Sequence, residues 1–271
     1  MTRLAFLSLI IVLFASPVAA RPHTEQLDLR YDVYAGGFQA MSARLQMDLR
    51  KKSYDMKLEA RTQGFIGELF PWRGSYETLG DANDKGYSPR RYTERSTWRN
   101  GVKTTQMRYD ANGKVLERVV HERDGTQSNA DINGVLARNT FDLLTGTLVM
   151  LESVQDHKTC AGSFPIFDGK RRFNITLRDD GKETLAPSKY SSFSGPALRC
   201  ILKVEPVAGF KKKDERRGWM AVQKHTEAHH KLPTLWLAES RPGGAQVVPV
   251  RMEIASDYGS VVAHLVDESD K

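Results

Sequence analysis

The sequence predicts a mainly β chain, an antiparallel sheet with one central α-helix, and three observations carry that prediction. Turn dipeptides recur at a fixed interval: Asn100-Gly101, Asn112-Gly113 and Asp124-Gly125 each begin twelve residues after the one before, and Asp168-Gly169 and Asp180-Gly181 repeat the spacing. The stretches around them alternate polar and apolar residues with period two. One segment, Asn139–Gln155, has helical spacing instead. Asn-Gly and Asp-Gly favour type I′ hairpin turns because both central residues need positive φ. About ten residues between turns suit a pair of long antiparallel strands. A phosphate-binding loop would cluster its glycines between a strand and a helix. Here the glycines stand singly and the strand sequences between them differ, so the interval is a hairpin length rather than a repeat.

In chain order, residues 1–20, "MTRLAFLSLIIVLFASPVAA", come first. A basic start at Arg3, an apolar run from Leu4 to Phe14 and small residues at Val18 and Ala20 have the pattern of a cleaved signal peptide. The run is short for a membrane span, and an uncleaved anchor is the alternative. No cysteine follows the cleavage position, so a lipid anchor is not expected. Residues 21–271 then form a single β-rich domain, about 250 residues being ample for one core. "ARLQMDLR" sets Leu45, Met47 and Leu49 on one face, and "YDMKLEA" does the same with Tyr54, Met56, Leu58 and Ala60. After the opening hairpins comes "NTFDLLTGTLVMLESVQ", with Leu144, Leu148 and Leu151 at helical spacing. Asn139 or Thr140 could cap it, Asp142 lies near the positive end of its dipole, and Gly146 weakens it by about 1 kcal/mol against alanine. "KRRFNITLRD" follows, with Phe173, Ile175 and Leu177 facing one way. "CILKVE", "PTLWLAE", "VVPVRMEIA" and "SVVAHLV" complete the strands, and Trp98, Trp219 and Trp236 fall in strand-like stretches.

Forty Lys and Arg against thirty-three Asp and Glu give a net charge of +7, about +6 without Arg3. The charge is dispersed. Its one dense run, "KKKDERR" from Lys211 to Arg217, contains two acids. Nucleic-acid readers concentrate charge on a recognisable module, so no nucleic-acid partner is expected. That run reads as a solvated turn, with peripheral contact to anionic lipids as the other reading. Cys160 and Cys200 are the only cysteines. In an exported chain an even count points to a disulfide closing a loop of about 40 residues. A redox or metal pair is the alternative, but redox cysteines usually stand close in sequence.

Candidate chemistry is sparse. His225, His229 and His230 in "HTEAHH" have roughly ligand spacing on a helix, yet Glu227 is at the wrong offset for a zinc-protease motif and Pro233 suggests a loop or one helical turn. His157 and His264 have no evident partners. Neither "FSGPA" nor "YGSVV" fits a nucleophile elbow. Asp32, Asp142, Asp168 and Asp257 are placed by turn or capping roles. No enzyme, metal or cofactor is therefore expected. The most unusual stretch is "GFIGELFPWRGSY". Phe65, Ile66, Leu69, Phe70 and Trp72 crowd into eight positions between Gly64, Gly67 and Gly74, and Pro71 breaks the alternation. It reads either as a core plug or a hydrophobic corner between strands, or as an apolar lip that binds a hydrophobic ligand.

The order of these blocks resembles a family of bacterial exported proteins, domain-of-unknown-function family 3108. The pieces that carry the resemblance are "YDVYAGGFQAMSARLQMDLRKKSYDMKLEARTQGFIGELFPWRGSY", "TFDLLTGTLVML", "FPIFDGKRRFNITL", "LRCILKVEPVAGF" and "LPTLWLAE…VVPVRMEIAS", spanning about Leu27 to Val266. The Cys160/Cys200 pair departs from the family pattern. The resemblance implies a strongly curved antiparallel sheet or half-open barrel, similar in fold to the Lol-type periplasmic lipoprotein carriers. It carries no activity. Two functions are then expected of a periplasmic protein of this shape. One is non-catalytic binding of a lipid or lipidated protein in the concavity, in support of the cell envelope. The other is an envelope structural or adaptor role, binding another protein through the surface or a sheet edge.

Overall fold

The computed structural model describes residues 24–99, 101–129, 134–212, 214, 218–229, 231–240, 246–256 and 259–266. The expected signal peptide, Asn100, His230 and Asp257 lie outside these residues. Two antiparallel meanders make up the fold. The first runs outward through β1 (Glu25–Ala35), β2 (Phe38–Arg50), β3 (Ser53–Thr62), β4 (Trp72–Asn83), β5 (Gly86–Trp98), β6 (Gly101–Tyr109), β7 (Val115–His121) and β8 (Gln127–Asn129). The second returns through β9 (Gly162–Phe167), β10 (Arg172–Leu185), β11 (Gly195–Ala208), β12 (Thr234–Glu239), β13 (Val247–Ser256) and β14 (Gly259–Val266). β14 pairs with β1, from Arg30 opposite Val266 to Ala35 opposite Val261. The described residues thus form one fourteen-stranded sheet with β8 and β9 at its edges, not closed into a barrel.

Alternation fixes the register. One row of side chains crosses five strands through Met47, Met56, Thr78, Tyr92 and Met107, each directly opposite the next. All five are buried. A slip of one residue in any of these strands would turn its apolar set to solvent. The expected hairpins at these dipeptides are present but are not type I′ turns: Gly113, Gly125 and Gly169 have positive φ, whereas Asn112, Asp124 and Asp168 do not. Asp180-Gly181 is different. Gly181 has φ 87°, but it sits inside β10, where the register against β11 shifts between Asp179 and Lys182. The dipeptide makes a β-bulge, the other use of a left-handed glycine. Asp32 also departs from expectation, lying inside β1 and buried rather than in a turn.

The central helix is α3 (Leu143–His157), after α1 (Gly64–Leu69) and α2 (Gly134–Ala137); α4 (Gly218–Ala228) follows. The single helix expected from sequence is therefore joined by three shorter ones, all in connections between strands. α3 starts later than Asn139 because Asp142 is the residue that caps it, accepting from the Leu144 and Thr145 amides at 3.0 Å each. The sheet wraps around this helix: α3 packs on β3, β4 and β5 from one meander and on β9 and β13 from the other. Leu144 and Leu148 join the core with Leu45, Met47 and Val250, while Leu151 and Val154 join Leu177, Leu235 and Leu237. Each such leucine contributes roughly 1.5–3 kcal/mol by leaving water.

Gly146 shows why this helix carries a glycine. A Cβ there would lie 2.1 Å from Cδ1 of Ile166 on β9. Gly146→Ala gains about 1 kcal/mol of helix propensity, but it forces a buried strand side chain aside, which typically costs 1–3 kcal/mol. We expect net destabilisation, read as a lower urea midpoint at unchanged slope.

α4 corrects two expectations. Trp219 lies in this helix, not in a strand, and His225 is helical. Pro233 stops a helix only near its own position, and α4 has already ended at Ala228. The helix is held by tertiary contact. β12 pairs with β11 over Leu198–Ile201 only. Further along β11, the Gln223 amide takes the place of a neighbouring strand, accepting from the Val204 N–H at 2.6 Å and donating to the Val204 carbonyl at 2.9 Å.

Candidate functional site at one end of the sheet

In a meander, alternate connections fall at the same end. The β1–β2, β3–β4 and β5–β6 connections therefore share one end of the first meander. Positive φ at Gly36 and Gly37, 56° and 87°, makes the first a tight turn and leaves Phe38 77% exposed. The second connection is α1 with its flanks. Thr62 clamps its two ends, the hydroxyl donating to the Phe70 carbonyl at 2.9 Å and accepting from the Trp72 amide at 3.0 Å. The Gln63 backbone N–H donates to the Ala40 carbonyl, which seats α1 against the start of β2. The third is tied to the second by the Arg99 amide, which donates to the Pro71 carbonyl at 3.1 Å.

No residue of α1 is buried. Phe65 is 70%, Leu69 48% and Phe70 50% exposed. Ile66 and Trp72 are half-buried, and Trp72 Nε1 donates to Ser96 Oγ at 3.1 Å. The five residues singled out in the sequence thus divide, with three projecting and two anchoring. A core plug does not hold, because no residue of α1 is buried and Phe65, Leu69 and Phe70 are exposed; the stretch forms a corner between β3 and β4. Two further exposed residues lie at the same end. Trp98, at the end of β5, has its ring 6.4 Å from that of Phe70, and Phe38 follows the Gly36-Gly37 turn. The glycine turns on either side were the only signal in the sequence for these two.

Other candidates resolve into structure. Cys160 and Cys200 form a disulfide with Cα atoms 5.5 Å apart, both fully buried. The His225 and His229 rings lie 4.5 Å apart and tilted, but His229 Nδ1 is bonded to the His225 carbonyl at 2.8 Å. Among the described residues no three His, Cys, Asp or Glu side chains come together to hold a metal. His157 Nδ1 bonds the Ser153 carbonyl, and His264 stacks on Tyr190. Asp168 does serve its turn, accepting from the Lys170 and Arg171 amides.

A charged cluster that sequence reasoning missed surrounds that turn. Burial lifts the Glu94 carboxyl above its ordinary range and Asp168 adds to the effect, while Lys103 and Arg171 oppose it. Burial likewise lowers Arg118, against the pull of Asp168 and Glu122. Lys103 pairs with Glu122 at 2.8 Å and Arg171 with Asp168 at 2.7 Å. One pair lies beside β6 and β7 and the other within the β9–β10 turn, while the buried Arg118 Nε has no hydrogen-bond partner among the described residues.

No helix among the described residues is long and apolar enough to cross a membrane. A model of the family described as protein of unknown function, DUF3108, matches residues 30–266, and the chain belongs to that family. No curated protein and no solved structure matches it.

Proposed function

We propose that this DUF3108 protein is a non-catalytic periplasmic protein that engages a lipid or lipidated protein at the apolar rim formed by Phe38, Phe65, Leu69, Phe70 and Trp98. The observation that carries the reading is the concentration of exposed large apolar side chains on three connections at one end of the sheet, with the Phe70 and Trp98 rings 6.4 Å apart. Scattered exposed apolar residues need no explanation, but such a concentration at the end of a sheet marks a place where something apolar is covered. The leader-like residues 1–20 and the Cys160–Cys200 disulfide suit an oxidising compartment outside the cytoplasm. The sheet wrapped around α3, and the resemblance to Lol-type carriers that the sequence implies, suit an acyl chain lying across the rim. Each methylene removed from water contributes about 0.8 kcal/mol, so partial burial of one chain supports micromolar binding.

One observation favours the adaptor reading. α3 fills the middle of the wrapped sheet with Leu144, Leu148, Leu151 and Val154, the space a fully internal ligand would need. An adaptor would use the same rim against a protein.

Phe70→Ser separates the rim from the core. Because Phe70 is half-exposed, the variant should unfold within about 1 kcal/mol of wild type, as surface changes do. It should also lose most of the lipid that co-purifies from the periplasm. Lipid extraction and mass spectrometry read the loss. Retention of the same lipid at the same stoichiometry would exclude this residue from the binding surface.

A further inference from the structure

The strand face turned away from α3 carries a second feature, independent of the rim. A cleft of about 640 Å³ crosses β1 to β5 there, lined by five arginines, Arg30, Arg44, Arg61, Arg73 and Arg95, against two carboxylates, Asp32 and Glu59. Its volume lies in the range of small-ligand sites. The register places Arg61 directly opposite Arg73, and Arg30 directly opposite Arg44. Like charges in direct cross-strand register destabilise a sheet, so two such pairs side by side need an explanation. Asp28 relieves Arg44 with a bidentate pair whose Nε–Oδ1 bond is 2.7 Å. No ion pair with Arg61, Arg73 or Arg95 is found among the described residues. Glu59, the acid in the adjoining row, is drawn to Lys57 at 2.9 Å. Hydroxyls stand beside the three arginines: Ser42 opposite Arg61, Thr97 opposite Arg73 and Ser75 opposite Arg95.

We propose that this cleft is a binding site for a phosphate-class oxyanion, held by Arg61, Arg73 and Arg95. The planar guanidinium presents a donor fork that matches phosphate oxygens in pairs. Serine and threonine hydroxyls supply the remaining donors. A bound dianion converts the Arg61–Arg73 repulsion into two attractions to a shared partner, which accounts for arginines kept face to face. The lining carries five arginines, so the cleft takes a phosphate group rather than an acyl chain. The phosphate is either free or carried on a lipid headgroup. The cleft lies on the opposite strand face from the core and does not depend on what the rim binds, although Arg73 and Thr97 also border a hollow beneath α1.

The test uses the full chain at low ionic strength. Inorganic phosphate is titrated calorimetrically, with chloride at matched ionic strength as the control. Flotation is run in parallel with phosphatidylglycerol and phosphatidylcholine vesicles. Arg61→Gln/Arg73→Gln is the site variant, and Arg90→Gln, an exposed arginine paired to Asp81 outside the cleft, is the control variant. Saturable phosphate binding that falls roughly tenfold or more in the double variant, and is unchanged in Arg90→Gln, supports the site. If only the phosphatidylglycerol vesicles float, and float less with the double variant, the site is supported with a headgroup phosphate as its source. The double variant should melt no earlier than wild type without phosphate, since it removes a like-charge contact, so loss of binding cannot be ascribed to unfolding. Absence of binding to phosphate and to both vesicles, or equal binding by wild type and double variant, would overturn the proposal.

Discussion

Asp142→Ala is expected to destabilise the domain by about 3 to 5 kcal/mol. Asp142 is fully buried. One carboxylate oxygen accepts from the Leu144 and Thr145 amides and from Thr78 Oγ1 at 2.7 Å. The other accepts from Thr145 Oγ1 at 2.6 Å. Thr145 Oγ1 in turn meets Tyr54 OH at 2.7 Å. Alanine removes a helix cap, worth about 1 kcal/mol, and leaves the buried Thr78 hydroxyl on β4 and the Thr145 hydroxyl on α3 without their acceptor, at roughly 1–3 kcal/mol each. Asp142→Asn should lose far less, about 1 kcal/mol. Its remaining oxygen keeps the two amides and Thr78, while its NH₂ donates to Thr145, whose hydroxyl turns toward Tyr54. The charge itself is a liability. Burial, the largest influence, raises the Asp142 carboxyl above its ordinary value of 3.8, with the hydrogen bonds from Thr145, Thr78 and Leu144 pulling the other way. With the folded value above the unfolded one, protonation favours the fold. That contribution is complete below the unfolded value and disappears as pH rises through the folded one. The gap between Asp142→Asn and wild type should therefore close as pH rises across that window. Urea midpoints at acidic and neutral pH read both effects, and an alanine variant as stable as asparagine would show that the network does not hold α3.

Loss of the disulfide is the other large expected effect. Cys160 precedes β9 and Cys200 lies in β11, so the bridge spans β10 and ties the open edge of the sheet to its third strand. The sequence separation is 40, worth about 4 kcal/mol in the chain-entropy model. Both sulfurs are buried with Leu177, Leu235 and Leu237, so reductant should act only when the chain opens. Cys160→Ala/Cys200→Ala should lower stability by about 2 to 5 kcal/mol, seen as a lower urea midpoint. A double variant as stable as the oxidised protein would make the bridge incidental.

The strands were legible because their alternation is local. Leu45, Met47 and Leu49, or Tyr54 and Met56, report which face is covered whatever their neighbours are. α3 was legible from Leu144, Leu148 and Leu151 for the same reason, though Gly146 read as a weak point until Ile166 was seen against it. Partnership was not legible. Period two tells a strand which face is inside and nothing about what lies beside it, so the closure of β14 on β1 could not be read. The arginine cleft exists only through register, since Arg61 and Arg73 are twelve residues apart and become a pair by strand pairing. α4 was hidden because its anchor is the Val204 backbone, which carries no sequence signal. The rim was half legible. Phe65 to Trp72 announce themselves by crowding, whereas Phe38 and Trp98 join them only by sharing one end of the meander.

The most direct test of the rim proposal is the lipid content of the wild-type protein itself, purified from its native cells without detergent and examined by native mass spectrometry followed by solvent extraction. A species heavier than the polypeptide by the mass of one acylated molecule, released on extraction and absent from Phe70→Ser, is the predicted result. A wild-type protein at bare polypeptide mass, with no extractable acyl chain, that instead pulls down one envelope protein lost on the same substitution, would contradict lipid binding and assign the rim to an adaptor.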